Sequence, residues 1–155
     1  MKAMIILRAL LLALLLLPTV NADDIVVITG LQTPLKNAST KQLKNIFLRK
    51  SLLSESRLRW IPLNLKPDDP LRAAFSKSLL NRDPDALEAY WNEQYFQGIT
   101  PPYVVSSEEA MLRFVSNTPG AIGYIAPCHL DKRVQEVFRL NSPLSFKQRC
   151  ERAVP

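Results

Sequence analysis

The sequence predicts an α/β fold, a mixed or parallel sheet flanked by about four helices, and three observations carry that prediction. The first is the continuous apolar, β-branched run Ile25-Val26-Val27-Ile28, which suits a strand buried on both faces. The second is a repeated helix-start device, Asp69-Pro70 and Asp83-Pro84, where an aspartate caps and a proline fills the first turn without losing a needed N–H. The third is the turn Thr118-Pro119-Gly120 leading into Ala121-Ile122-Gly123-Tyr124-Ile125, a strand that requires two small positions. Strand-like and helix-like segments alternate in the order βαβααβαββ, the pattern of helices laid on a sheet.

The 155-residue chain opens with a segment that is not expected to join this fold. Lys2 and Arg8 flank the start of an apolar run over 9–17, followed by Pro18 and then Val20-Asn21-Ala22. A charged start, a short apolar core and a small residue at a cleavage point describe a secretory signal peptide, with cleavage expected after Ala22. The alternative, a membrane anchor, needs ~20 apolar residues, and this run is shorter. No cysteine lies near the cleavage point to carry a lipid. The expected organisation is therefore a leader over 1–22 and one α/β domain over 23–155, in the periplasm and with no stable membrane anchor. The 133 residues from Asp23 onward are enough for one core.

The net charge is +6, or +4 without Lys2 and Arg8. An exported basic protein rarely meets nucleic acid, so small anions or the anionic cell envelope are the expected partners. Export also places Cys128 and Cys150 in an oxidising compartment, where a pair of cysteines predicts a disulfide. Closing that loop contributes ~3 kcal/mol on the chain-entropy model. A metal site is the rival use of the two thiols, but it lacks ligands, since His129 is the single histidine.

In chain order, the strand over 25–28 ends at Gly30, and a loop with Pro34 and Asn37 follows. Ser39 or Thr40 caps a helix in which Leu43, Ile46 and Phe47 share one face. A second strand is expected over 57–65 and a second helix over 69–81, with Leu71, Phe75 and Leu79 as its apolar stripe. A third helix begins at Asp83-Pro84, buries Leu87, Tyr90, Trp91 and Tyr95, and stops at Gly98. Pro101-Pro102 leads stiffly into the short strand Tyr103-Val104-Val105. Ser106 or Ser107 caps a fourth helix carrying Glu108 and Glu109 in its first turn and Met111, Phe114 and Val115 inside. After the 121–125 strand, a last strand is expected over 134–140, with a polar, irregular tail from Asn141.

Little in these residues suggests catalysis. His129 is the one conventional base, it neighbours a cysteine committed to a disulfide, and no nucleophile–base–acid set is visible. No phosphate-cradling glycine motif and no metal-spaced cluster occurs, so neither a cofactor nor a metal is expected. The adjacent carboxylate pairs Asp68-Asp69 and Glu108-Glu109 sit at helix starts, where they cap. Lys41, Lys44, Arg49, Lys50, Arg57 and Arg59 crowd one short segment, either a solvated face or a patch for anionic partners. The joint at Pro67-Asp68-Asp69-Pro70 is open to two interpretations, a plain capped strand–helix junction or an anion site at a helix N-terminus.

Several of these stretches carry a resemblance. Residues 40–50, from Thr40-Lys41-Gln42-Leu43 through Ile46-Phe47 to Arg49-Lys50, are similar to a helix of bacterial phosphate-transport substrate-binding proteins. Ile61-Pro62-Leu63-Asn64, Pro70-Leu71-Arg72-Ala73-Ala74-Phe75, Tyr90-Trp91 and the Thr118–Ile125 stretch resemble further landmarks of that family. Together they span most of 25–125. The resemblance implies a non-enzymatic, single-lobe solute-binding domain. Its small phosphate-like anion would lie near Leu71 and Arg72, with Asp69 as cap or polar contact and Ser39, Thr40, Thr118 and Gly120 on the rim. It departs from the family in two ways. The glycine-serine-glycine-threonine turn is replaced by Asp68-Asp69-Pro70-Leu71, which puts carboxylates beside any anion and removes an N–H, and Leu65 lies near the position of an upstream arginine. The length supplies about one lobe of two, so a grip on a ligand is open. The alternative function is an envelope protein–protein interaction domain that has kept the fold and lost the ligand.

Overall fold

The computed structural model describes residues 23–142 and 144–151, and the expected leader lies outside them. Strand β1 (Asp23–Gly30) is an interior strand of the sheet, and Ile25, Val26, Val27 and Ile28 are completely buried. Helix α1 (Thr40–Phe47) starts at Ser39, whose hydroxyl accepts from the Gln42 N–H at 3.2 Å, and it buries Leu43, Ile46 and Phe47 as the spacing predicts. Next come β2 (Ile61–Asn64), α2 (Pro70–Phe75), which continues as a π-helical turn over Ser76–Leu80, and α3 (Pro84–Tyr95). Strand β3 (Tyr103–Val104), α4 (Glu108–Asn117), β4 (Ala121–Ile125), a 3₁₀ turn over Pro127–His129, β5 (Val134–Ser142) and α5 (Lys147–Glu151) complete the order.

The five strands lie in the order β3-β2-β4-β1-β5. β2 is parallel to β3 and β4, while β1 is antiparallel to both β4 and β5, so the sheet is mixed. Helices cover both faces, as the pleat of β4 shows. A Cβ on Gly123 would meet Met111 of α4 at 2.3 Å, whereas the next residue, Tyr124, stacks on Phe75 of α2 with ring centroids 3.8 Å apart. Successive strand residues point to opposite faces, so α4 packs on one side of the sheet and α1 and α2 on the other. Two-sided cover explains why β1 reads as an unbroken apolar run instead of an alternating one. Among the described residues no helix is long and apolar enough to cross a membrane.

Several expectations need correction. The second strand is shorter than 57–65, because Leu52 to Trp60 folds into a small hairpin: the Trp60 N–H donates to the Leu52 carbonyl and Leu53 pairs with Arg59. The α3 stripe buries only Leu87. Tyr90 and Trp91 are half-buried and Tyr95 is 70% exposed, so the helix is held mainly by its first two turns. Asp83 makes no side-chain cap and pairs instead with Lys77 at 2.9 Å. In α4 the inner face is Met111, Leu112 and Val115, and Phe114 turns outward. The described residues after Asn141 are not simply irregular. Phe146 is buried, its N–H donates to the Asp23 carboxylate, and α5 follows, anchored by the Cys128–Cys150 disulfide with Cα atoms 5.7 Å apart.

Candidate functional site

The joint between β2 and α2 is fastened from below. Tyr124 is fully buried, its hydroxyl accepts from the Leu65 N–H at 3.3 Å and lies 3.2 Å from Asn64 Oδ1. Burial pushes its phenol well above the usual range, so the hydroxyl stays protonated and can donate to Asn64. Above this buckle the chain turns at Pro67 and Asp69 caps α2, accepting from the Leu71 N–H at 2.8 Å. Pro70 supplies no N–H, so the helix start spends its first free donor on its own cap.

The same Asp69 carboxylate receives a bidentate contact from the C-terminal segment. Arg149 Nη1 and Nη2 donate to it at 3.0 and 2.6 Å, while Arg149 Nε donates to Glu108 Oε1. Glu108, first residue of α4 and 6% exposed, is held by its other oxygen, which accepts from the Ala126 N–H at 2.6 Å. His129 Nδ1 lies 2.9 Å from that oxygen, and since a carboxylate only accepts, Nδ1 carries the hydrogen. One guanidinium therefore links the starts of α2 and α4, and the adjoining disulfide fixes the helix that presents it.

This cluster floors a cavity of about 560 Å³ whose rim includes Ser106, Ser107, Glu109, Asp131 and Arg133. Arg133 donates to both Glu109 and Asp131 at 2.7–3.1 Å. Hydrogen bonds from Arg133 and Arg113 pull the Glu109 carboxyl down to about 2, and Arg133 holds Asp131 low as well. The lining thus has four carboxylates, Asp69, Glu108, Glu109 and Asp131, against two guanidiniums. It offers an incoming anion no uncommitted positive charge among the described residues.

The residues expected around an anion are placed apart. Asp69 is in the cavity lining. Arg72 turns away from it, donating Nη1 to the Leu65 carbonyl at 2.8 Å and lining a second, more apolar cavity of about 350 Å³ with Pro67, Trp91 and Val104. Leu71 is buried in the core, although its N–H faces Asp69. Thr118 borders a shallow depression that shares Ser106, Ser107 and Glu109 with the first cavity. Gly120, at φ +81°, lies in the turn closing α4 onto β4, where its carbonyl accepts from the Ile61 N–H at 2.9 Å. Ser39 and Thr40 stand at the start of α1, and neither lines the two cavities. Arg149 and Glu108 are the residues that sequence reasoning missed. The signal for Arg149 is its place beside Cys150, since a disulfide to Cys128 must bring it near the 126–129 turn.

Solved structures match this arrangement of strands and helices. The fold is like that of part of several solved phosphate-transport substrate-binding proteins. A Clostridium perfringens protein described as of the phosphate ABC transporter substrate-binding type, with bound phosphate, aligns with a TM-score of 0.62 at 18% identity over 75% of this chain and 44% of its own. An ABC-type phosphate transport receptor from Vibrio cholerae gives 0.62 at 16% over 75% and 46%. PstS from Borrelia burgdorferi gives 0.59 at 17% over 75% and 47%. At such identities the likeness is one of fold, and the chain spans less than half the length of each. No family model and no curated protein matches the sequence.

Proposed function

We propose that this chain is an exported, non-enzymatic lobe of the solute-binding type in which the anion position is satisfied internally, and that it serves as an accessory or interaction domain of the envelope. The observation that carries this is the bridge from Asp69 through Arg149 to Glu108. A carboxylate occupies the cap of α2, a second sits in the first turn of α4, and the single guanidinium between them is shared by both. A phosphate entering here meets two negative side chains before it meets a free donor. The solved neighbour with bound phosphate supports the origin of the cleft, and the side chains in this lobe support its change of use.

Titration calorimetry of the chain from Asp23 with inorganic phosphate at pH 7 tests this. No heat is expected at millimolar phosphate, and a Kd below about 10 μM, worth about 7 kcal/mol, overturns the proposal. The double variant Asp69→Ser, Glu108→Gln removes both charges from Arg149 and supplies a hydroxyl at the α2 cap. It should gain at least about tenfold in phosphate affinity, since a charge-assisted hydrogen bond contributes ~1.5–3 kcal/mol. Adding Arg149→Ala should cancel that gain.

A further inference from the structure

The positive charge of this protein is concentrated in one place. Segment 41–59 holds Lys41, Lys44, Arg49, Lys50, Arg57 and Arg59 against the single acid Glu55, a net +5, whereas the chain from Asp23 onward totals +4. Elsewhere the charges balance, and many are paired, as in the Arg133 and Arg139 clusters. None of the six cations has an ion pair among the described residues. Arg49 is half-buried, donates Nη1 to the Trp60 carbonyl at 3.2 Å, and leaves its buried Nε without a partner. Burial and the like charge of Arg59 both lower its pKa, so these two guanidiniums oppose each other with no carboxylate to relieve them.

Four of these cations, Arg49, Lys50, Arg57 and Arg59, lie on or directly before a short hairpin that carries two exposed leucines. In the 52–60 hairpin the Ser54 N–H donates to the Leu58 carbonyl at 2.8 Å, the Arg57 N–H to the Ser54 carbonyl at 3.0 Å, and Arg57 turns the chain at φ 61°. Leu52 and Leu53, consecutive on its first arm, are 46% and 54% exposed. Tyr103, on edge strand β3 and close enough to Arg49 to interact with it electrostatically, is 67% exposed. Neither cavity described above has a lining residue between 41 and 59.

We propose that the 52–60 hairpin and the cations around it form a peripheral docking surface for an anionic phospholipid bilayer. Exposed leucines on a hairpin arm can enter the acyl boundary of a soft surface, and Lys and Arg beside them meet the phosphates while their aliphatic stems lie along the interface. A tyrosine is suited to the same depth, with an apolar ring and a polar tip. An acidic protein would satisfy the charge but gives no use to the exposed Leu52 and Leu53. A few cations and exposed leucines by themselves give a weak, reversible association. It does not depend on whether the cleft at Asp69 binds an anion.

Vesicle co-sedimentation tests the proposal, using phosphatidylglycerol–phosphatidylcholine vesicles against pure phosphatidylcholine at low salt. The protein should pellet with the first and not the second. A cation near an anionic surface contributes about fivefold in partition, so Lys50→Glu with Arg59→Glu should weaken binding by at least about 25-fold. The same two reversals placed elsewhere, Lys66→Glu with Lys132→Glu, should cost far less. Leu52→Ser with Leu53→Ser should reduce partition by roughly tenfold or more through lost apolar burial. No binding to the anionic vesicles overturns the proposal, as does an equal loss from the control pair. Binding that ignores the leucine pair also overturns it, and points to an acidic protein surface. Thermal melts of each variant confirm that these exposed substitutions leave the fold intact.

Discussion

Replacing Arg149 with alanine separates a structural keystone from an incidental surface pair. The substitution strands two carboxylates, Glu108 at 6% and Asp69 at 19% side-chain exposure, and removes a guanidinium that is itself 25% exposed. Breaking a buried ion pair from one side costs ~3–5 kcal/mol, because the remaining charge has lost both partner and solvent. Glu108 keeps the Ala126 N–H and His129, and Asp69 keeps the Leu71 N–H, so the lower end, about 3 kcal/mol, is expected. In a domain of this size that lowers Tm by roughly 10 °C. Urea unfolding at pH 7, followed by tryptophan fluorescence, measures it. Glu108→Gln and the double variant complete a cycle whose coupling should exceed about 1 kcal/mol. A loss below about 1 kcal/mol with additive singles would place the cluster among exposed ion pairs of little consequence, and the account of the cleft as internally satisfied would fail.

Three further outcomes follow from the packing. Cys150→Ser opens a loop of sequence separation 22 and should cost about 3 kcal/mol in urea unfolding without reductant, and free thiols titrated in the oxidised wild-type protein would contradict the bond. Gly120→Ala places a Cβ 2.1 Å from the Arg59 carbonyl at a positive φ, so a loss of about 3 kcal/mol is expected, and a change under about 0.5 kcal/mol would show that the turn gives way. The Glu109 carboxyl is depressed in the folded protein from 4.5 to about 2. The stability it adds is therefore complete above its unfolded pKa and is lost as pH falls through the folded one. Thermal melts of wild type and Glu109→Gln should differ at pH 7 and converge near pH 2, and a gap that persists in acid would refute the pairing with Arg133.

What the sequence revealed, and what it did not, divides by the range of the interactions. Four β-branched residues in a row announce a strand covered on both sides, and Ser39, Asp69 and Ser107 announce helix starts within three residues of the groups they cap. The two small positions before and within β4 were legible as small, but not their reasons, a carbonyl of Arg59 and a thioether of Met111. The aromatic stripe of α3 misled, since helical spacing shows which residues share a face and not whether anything packs against it. Tyr90 is met by Arg82 over its ring at 5.0 Å and by the Leu48 carbonyl, while Tyr95 is met by Phe96 alone. Arg149 lies 80 positions from Asp69 and 41 from Glu108, so no local pattern could place it. The cysteine pair makes the disulfide legible, but the contacts of the neighbouring Arg149 appear only in the fold.

The place of β1 between β4 and β5 has a consequence for the order in which the protein acquires its structure. The first of the described strands to be synthesised pairs with the last two: Val26 lies opposite Ile125 and Ile25 opposite Leu140. At ribosomal rates of ~5–20 residues per second, the apolar run over 25–28 waits roughly 5 to 20 seconds for its partners. Contacts of such separation also make closure slow once the chain is complete. During that interval a chaperone site that recognises short apolar β-branched segments has an uncontested target. β1 meets its first partner only with β4, and the sheet is complete only when β5 has arrived.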